Sequence, residues 1–254
     1  RREMDWFLCD ILDCQRIDLY IQFEDFLREN QLIKLRKMVQ RRLSGEPFQH
    51  ILGRASFYGR DFLVDRNVFI PRPETSLLIE RLKIWGKVHS LLDVGTGSGC
   101  LAITASIEKL AKNISATDNS QPALSVAKKN RTNFAVKNVK MEIHDFLQSK
   151  FNSKFDVVIS NPPYIAFDDI PYLQMEVKDY DPQIALTDNA DGLSFYRRFS
   201  NQIDNLINPE GVLILEFGTN KQKRDIKKIF SNAGLKTRFF KDIQNNWRVV
   251  EVRR

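Results

Sequence analysis

Asn161, Pro162, Pro163 and Tyr164 follow directly on the apolar run "FDVVIS", and their types suit the gripping of a planar –NH2 group. Asn161 offers a side-chain carbonyl oxygen. Pro162 offers a backbone carbonyl with no competing N–H, and the two prolines stiffen the loop. Two fixed acceptors can take both hydrogens of an amide or aryl amine, aim its nitrogen at an electrophile and favour the lone pair it must donate. No general base is needed before such a transfer, because the nitrogen's proton becomes acidic only afterwards. Tyr164 offers an aromatic wall for the substrate plane or for a sulfonium. A plain strand-to-loop turn is the competing reading of the same four residues.

A second group lies upstream in "LLDVGTGSG", residues 91–99, which a helical pattern follows at once. Gly95, Thr96, Gly97, Ser98 and Gly99 make a tight turn in which a ligand can approach backbone amides at a helix N-terminus. The spacing is G-x-G-x-G, not the G-x-G-x-x-G of dinucleotide enzymes. Asp118 ends the next apolar run, 19 residues after Gly99, where a carboxylate can accept from both hydroxyls of a ribose. Asp145 and Phe146, at the end of the third run, stand where an adenine ring would be covered. Each has a structural alternative: a strand-to-helix turn for the glycines, a helix cap for Asp118, ordinary core for Phe146.

These residues need a scaffold, and the pattern from about residue 88 supplies one. Short apolar runs ("SLLDVG", "ISATD", "VKMEIHD", "FDVVISN", "GVLILEFG") alternate with helical stretches ("CLAITASIEKL", "QPALSVAKKNRTNF", "FYRRFSNQIDNLI", "KQKRDIKKIFSNAG"). That alternation predicts an α/β fold with a parallel sheet covered on both faces. The final runs, "KTRFFKD" and "WRVVEVRR", are separated only by "IQNN", too short for a parallel crossover, so an antiparallel hairpin is expected. Residues 1–50 read as helical throughout, with apolar residues at 4, 7, 8, 11 and 12 and with "LYIQFEDFL" and "LIKLRKMV" continuing in the same style. The stretch 55–70 reads as a β-hairpin, after which "PRPETSLLIERL" restarts a helix. The division expected is a helical domain over 1–50, a hairpin connector over 51–70 and a catalytic domain over 71–254.

Composition narrows the function classes. The chain has 254 residues, 43% hydrophobic and 28% charged, so disorder is excluded as its main state. No apolar run reaches the ~18 residues of a membrane span. The net charge of +7 permits contact with nucleic acid or an acidic partner but equally suits a generally basic surface. Three scattered cysteines (Cys9, Cys14, Cys100) form no disulfide framework and point to a reducing compartment. The three histidines are dispersed, without the spacing of a metal site. Nothing near Arg1 reads as a signal peptide, and further sequence is expected upstream of it.

The parallel sheet finished by an antiparallel hairpin resembles the Rossmann-like, seven-stranded methyltransferase fold. "DVGTGSG" together with "NPPY" is similar to S-adenosylmethionine-dependent methyltransferases acting on –NH2 groups, including those that methylate adenine or guanine amines. The narrower resemblance is carried by "GEPFQHILGRASFYGRDFLVDRNVFIPRPET", residues 45–75, and by "DPQIALTDNADGLSFYR", residues 181–197. Both look like the HemK/PrmC family, the protein-(glutamine-N(5)) methyltransferases of peptide-chain release factors. The resemblance implies a substrate, the glutamine of the Gly-Gly-Gln loop of a class 1 release factor. It implies that Gly95 to Gly99, Asp118, Phe146 and Asn161 contact S-adenosyl-L-methionine, and that Asn161 to Tyr164 hold the glutamine amide. It further implies that Pro71, Arg72, Pro73, Glu74 and Thr75 border the cofactor and the glutamine pocket. Ser76 stands where the family usually has a second glutamate, and Phe146 where tryptophan is frequent. "DPQIAL" and "TDNADGL" also depart from the family's usual glutamate-proline and glycine pair. A cytoplasmic monomer is expected, with no membrane and no stable nucleic-acid partner. The rival readings are a nucleic-acid amine methyltransferase and a non-catalytic cofactor-binding module on the translation machinery.

Overall fold

The structure is a computed structural model that describes residues 2–21 and 24–254. Helices α1 (Arg2–Leu12), α2 (Asp18–Ile21), α3 (Glu29–Leu43) and α4 (Phe48–Leu52) come first. Phe7, Met38 and Ile51 form their small buried core, with the Phe48 ring tilted against Phe7 at 5.1 Å. The continuous helical reading of "LYIQFEDFL" and of 19–39 is corrected here. Residues 22–23 lie outside the described residues, but α2 has four residues, buries none of them, and is followed by non-helical chain in which Phe26 is 98% exposed. A short helix with no apolar face to bury has nothing to offset its nucleation cost. Helix α3 begins afresh, where the backbone N–H of Arg28 donates to Gln31 Oε1 at 2.8 Å.

A two-residue turn joins β1 (Arg54–Phe57) to β2 (Arg60–Leu63) as an antiparallel pair. Tyr58 and Gly59 both have positive φ (51° and 72°), as the favoured two-residue hairpin turn requires. The hairpin is thus shorter than the predicted 55–70. A 3-10 turn, Pro73–Thr75, then leads into α5 (Ser76–Ile84).

The larger sheet is built by β3 (Val88–Val94), α6 (Cys100–Ile107), β4 (Ala111–Asp118), α7 (Gln121–Asn133), β5 (Val139–Ile143) and β6 (Phe155–Ser160). A second 3-10 turn, Phe167–Tyr172, and two short helices, α8 (Met175–Tyr180) and α9 (Gln183–Leu186), fill the stretch that the sequence left irregular. Then come α10 (Ser194–Leu206), β7 (Ile207–Glu216), α11 (Asn220–Asn232), β8 (Lys236–Lys241) and β9 (Trp247–Arg253). The strand order is β5-β4-β3-β6-β7-β9-β8, parallel from β5 to β7 and antiparallel at β9 and β8. This is the seven-stranded α/β sheet with the C-terminal antiparallel hairpin that the sequence predicts.

Alternation along the central strands feeds two cores. Leu91, Val157, Ile159 and Ile214 face one cluster, while Leu92, Val158, Leu213 and Leu215 face the other. Helices cover both faces, so β6 and β7 read as nearly unbroken apolar runs. Register decides where the chemistry lands. Val94 pairs with Thr117 on one side and Ser160 on the other, and Ser160 pairs with Leu215. The residues that follow (Gly95, Asp118, Asn161, Glu216) therefore leave the sheet side by side at its carboxyl edge, where the strand order reverses on either side of β3.

Candidate active site

A cavity of about 560 Å3 opens at this carboxyl edge. Its floor on one side is the glycine turn. Gly95 and Thr96 donate their N–H groups to the Thr117 carbonyl at 2.8 and 2.9 Å, and Gly97 donates to Asp118 Oδ2 at 2.9 Å. Gly95, Gly97 and Gly99 all lie at positive φ, and a Cβ on Gly95 or Gly97 would meet nothing within 4 Å, so open space lies above them. Asp118 also accepts from the Ser120 N–H through Oδ1 at 2.9 Å. Burial raises its pKa against those backbone hydrogen bonds. Beneath the turn, the buried Asp93 accepts from Thr96 Oγ1 at 2.7 Å, and burial pushes its carboxyl up to about 7.

The opposite side is the Asn161–Tyr164 loop. Asn161 Nδ2 donates to Thr75 Oγ1 at 3.3 Å, which leaves the Asn161 carbonyl oxygen free of that contact. Glu216, at the end of β7, is 3% exposed, lines the same cavity, and is faced by Thr75 and Asn161. Burial raises its carboxyl to about 7 while hydrogen bonding from those two side chains and the charge of Arg248 pull it down. Burial likewise raises the Tyr164 phenol, and the Tyr164 ring packs against Gly218, where a Cβ would sit 2.8 Å from it.

The stretch 181–192 braces this loop from outside. Ile165 donates its N–H to the Leu186 carbonyl at 2.9 Å, and Phe167 to the Ala190 carbonyl at 2.8 Å. Gln222 donates to the Tyr164 carbonyl and accepts from the Gly218 N–H at 3.1 Å. Arg72 bonds Asp181 Oδ2 at 3.0 Å, tying the proline-rich turn to the same segment; burial pushes the Asp181 carboxyl up to about 6.

Most of the residues singled out in the sequence meet at this cavity: Gly95, Thr96, Gly97, Ser98, Asp118, Asp145, Phe146, Asn161, Pro162, Pro163, Tyr164, Pro71, Arg72, Glu74 and Thr75 all line it. Two do not. Gly99 turns inward as the cap of α6, where a Cβ would meet Ile103 and Ala127, and Pro73 opens the 3-10 turn away from the wall. Phe146 is core and lining at once: 4% exposed, packed on Phe199 at 4.4 Å, and still part of the cavity wall. Asp145 caps its own turn, accepting from the Leu147 N–H at 2.9 Å. Sequence reasoning missed Glu216 and Arg248 as lining residues. The one signal for Glu216 is a charge closing the otherwise apolar "GVLILEFG".

Two family models match the chain: the PrmC N-terminal domain over residues 1–53 and the Methyltransferase small domain over residues 71–173. The release factor glutamine methyltransferase of Geobacter sulfurreducens is 34% identical over 92% of this chain and 82% of its own length. The chain belongs to the release factor glutamine methyltransferase family. The Bacillus subtilis member is also 34% identical, over 93% of this chain and 85% of its own. Among solved structures, a methyltransferase from Pyrococcus furiosus shares the fold, with a TM-score of 0.58 and 16% identity, covering 89% of this chain and 98% of that one.

As a member of the release factor glutamine methyltransferase family, the protein is an S-adenosylmethionine-dependent methyltransferase. The residues present fit that cofactor. Each Asp118 oxygen accepts one backbone N–H and keeps a lone pair for a ribose hydroxyl, and the bare glycine turn leaves room for close approach. Among the described residues, no helix is long and apolar enough to cross a membrane.

Proposed function

We propose that this chain methylates the side-chain amide nitrogen of the glutamine in the Gly-Gly-Gln motif of a class 1 release factor, binding the cofactor at Gly95–Ser98, Asp118, Asp145, Phe146 and Asn161. The observation that carries this reading is the pairing of Asn161 Nδ2 with Thr75 Oγ1, which leaves the Asn161 carbonyl oxygen free of that contact to accept from an incoming –NH2 group. Asn161 Oδ1 and the Pro162 carbonyl accept the two amide hydrogens and hold the nitrogen lone pair perpendicular to the amide plane. Pro163 keeps those acceptors rigid, and Tyr164 flanks the amide. Pro71 to Thr75 close the pocket's other side, with Arg72 anchored by Asp181. When bound, S-adenosylmethionine would supply the electrophilic methyl for that nitrogen. The amide proton is then lost to water. Positioning and fixed dipoles carry the rate, in keeping with the lack of any required base.

In the same reading, residues 1–50 dock the release factor, 51–70 connect, and 71–254 catalyse. The enzyme works as a cytoplasmic monomer, a setting supported by three free cysteines. Incubation with labelled cofactor, an intact release factor and total RNA tests the proposal. Label on the release factor glutamine is the expected result. Label on RNA would establish the nucleic-acid rival, and binding without transfer to either would leave only a cofactor-binding module.

A further inference from the structure

We propose that the first turns of α11 and the β8–β9 turn form a further contact for the protein substrate, which takes an acidic segment of it beside the cavity. The inference rests on the release-factor reading above and adds to it the charge of the surface that is engaged.

Helix α11 carries five basic residues (Lys221, Lys223, Arg224, Lys227 and Lys228) against the single acid Asp225. Lys241, from β8, joins them: the Lys223 and Lys241 ammonium groups lie 3.2 and 5.0 Å from the centroid of one ring, that of Trp247. Lys227 is one helical turn from Lys223 and so shares its face. Among the described residues, no carboxylate lies within 4.0 Å of any of these six cations. Asp242, next to Lys241 in the chain, is occupied. It pairs with Arg248 at 3.1 Å and accepts the Gln244 and Asn246 N–H groups at 2.9 Å, with its side chain 2% exposed. Positive charge is thus gathered without a counter-charge, at a cost in self-repulsion that an anionic partner relieves.

Strand direction sets this cluster at the edge where the cavity opens. β9 runs antiparallel to β7 with Val249 opposite Glu216, which brings Trp247 to the carboxyl edge, and Lys241 is paired with Trp247. Helix α11 starts at Asn220, four residues after Glu216, and its Gln222 donates to the Tyr164 carbonyl. Arg248, beside Trp247, lines the cavity itself. A chain whose glutamine enters the cavity therefore passes close to the cluster. Ammonium groups suit carboxylates and phosphates alike, and the surrounding surface decides between them. Ile243, on the β8–β9 turn, stands fully in solvent, and Ile184, on the cavity wall, is 50% exposed. Apolar side chains next to cations match a protein face that carries acidic and apolar residues together, whereas a phosphate backbone offers the isoleucines nothing to bury against.

The test reverses charge at exposed positions outside the cavity, in the triple variant Lys221→Glu, Arg224→Glu, Lys227→Glu. A control triple, Lys87→Glu, Lys109→Glu, Lys112→Glu, changes the net charge equally at the amino edge, where Val88 and Ala111 begin their strands. KM and kcat are measured on an intact release factor and on a short Gly-Gly-Gln peptide, at low and high salt, with cofactor affinity and melting temperature alongside. The α11 variant is expected to lose on the order of 10-fold in kcat/KM on the intact factor at low salt, chiefly through KM. The loss should shrink at high salt. The control should lose far less, and peptide rates and cofactor affinity should stay near wild type in both. Lys221→Gln, Arg224→Gln, Lys227→Gln should show an intermediate loss, which keeps the test decisive if charge reversal impairs folding. Equal losses in the α11 and control variants, equal losses on factor and peptide, or wild-type kinetics in the α11 variant would overturn this inference alone. So would retention of RNA on a filter that the α11 variant abolishes while release-factor kinetics stay unchanged, since the surface would then belong to nucleic acid. A wild-type enzyme that leaves the release factor unmethylated would overturn the substrate reading, and this inference with it.

Discussion

On one side of the cavity, the glycine turn works through backbone amides and a single carboxylate, contributed by two short stretches at 95–99 and 118. On the other side, Asn161 is held by Thr75 and faced by Glu216, three side chains brought from a 3-10 turn, a strand end and a distant strand end. Apart from the Asp118 carboxylate, the first side is a property of local conformation and depends on the backbone of the turn. The second is a property of side-chain chemistry, since it needs an amide at 161 and a hydroxyl at 75 to bond it. The two sides should therefore fail differently when mutated.

Asn161→Ala strikes the side-chain wall and should give the largest effect, lowering turnover by about 10²–10³, as when one preorganised polar contact is deleted. Cofactor affinity should suffer much less. A single-turnover rate within a few-fold of wild type would erase the distinction between the walls. Asp118→Ala strikes the glycine-turn wall at its one carboxylate and should show the reverse pattern. Calorimetry should find cofactor binding weaker by roughly 1.5–3 kcal/mol, the range for hydrogen bonds to a charged group, with turnover at saturating cofactor largely kept.

Gly192→Ala sharpens the contrast from outside the cavity. Gly192 sits at φ 76°, and a Cβ there would lie 2.2 Å from the Tyr164 carbonyl oxygen. Strain and the displaced loop should cost about 1–3 kcal/mol in chemical denaturation. If the loop is as rigid as two prolines suggest, activity should fall together with stability; an active, destabilised variant would show that the loop can shift without losing its grip.

Beneath the glycine turn, Asp93→Asn should touch stability and its pH dependence and leave the two walls of the cavity in place. Burial raises the Asp93 carboxyl to about 7, above its ordinary value of 3.8, with the charge of Asp118 adding to the rise. A carboxyl raised on folding contributes stability that is complete below the unfolded pKa and is lost as pH climbs through the folded one. Wild type should therefore lose stability relative to Asp93→Asn between about pH 4 and 7, by at most about 4 kcal/mol. Parallel denaturation curves at pH 5 and pH 8 measure it, and a constant difference between the two proteins would remove Asp93 as the titrating group.

The same asymmetry explains what could be read without coordinates. The glycine turn and Asp118 are legible because local backbone geometry demands particular residues at close spacing. Asn161 to Tyr164 are legible for the same reason. Thr75 was reached only through resemblance, and Glu216 was missed, because their roles exist only once parallel pairing sets β3, β6 and β7 in register. Alternating apolar runs made the sheet and its antiparallel end plain. They misled over residues 24–28, where the chain is not helical and Phe26 stands in solvent, although α3 beyond it is a helix that packs Met38 into the core. Phe146 shows a further limit: an aromatic at a strand end can be core and lining together, and composition does not separate the two.

The strand order carries a kinetic consequence. β3 cannot meet β6, nor β6 meet β7, until long crossovers have been closed, so the sheet's central pairings are the most distant along the chain. Contacts of high sequence separation form slowly, whereas α6, α7, α10 and α11 need only local ones. A refolding chain should thus recover helical circular dichroism well before it recovers methyl transfer. During that interval it would hold a nearly complete complement of helices around an unassembled Asn161 pocket, which is the stage at which a chaperone or a protease would meet it.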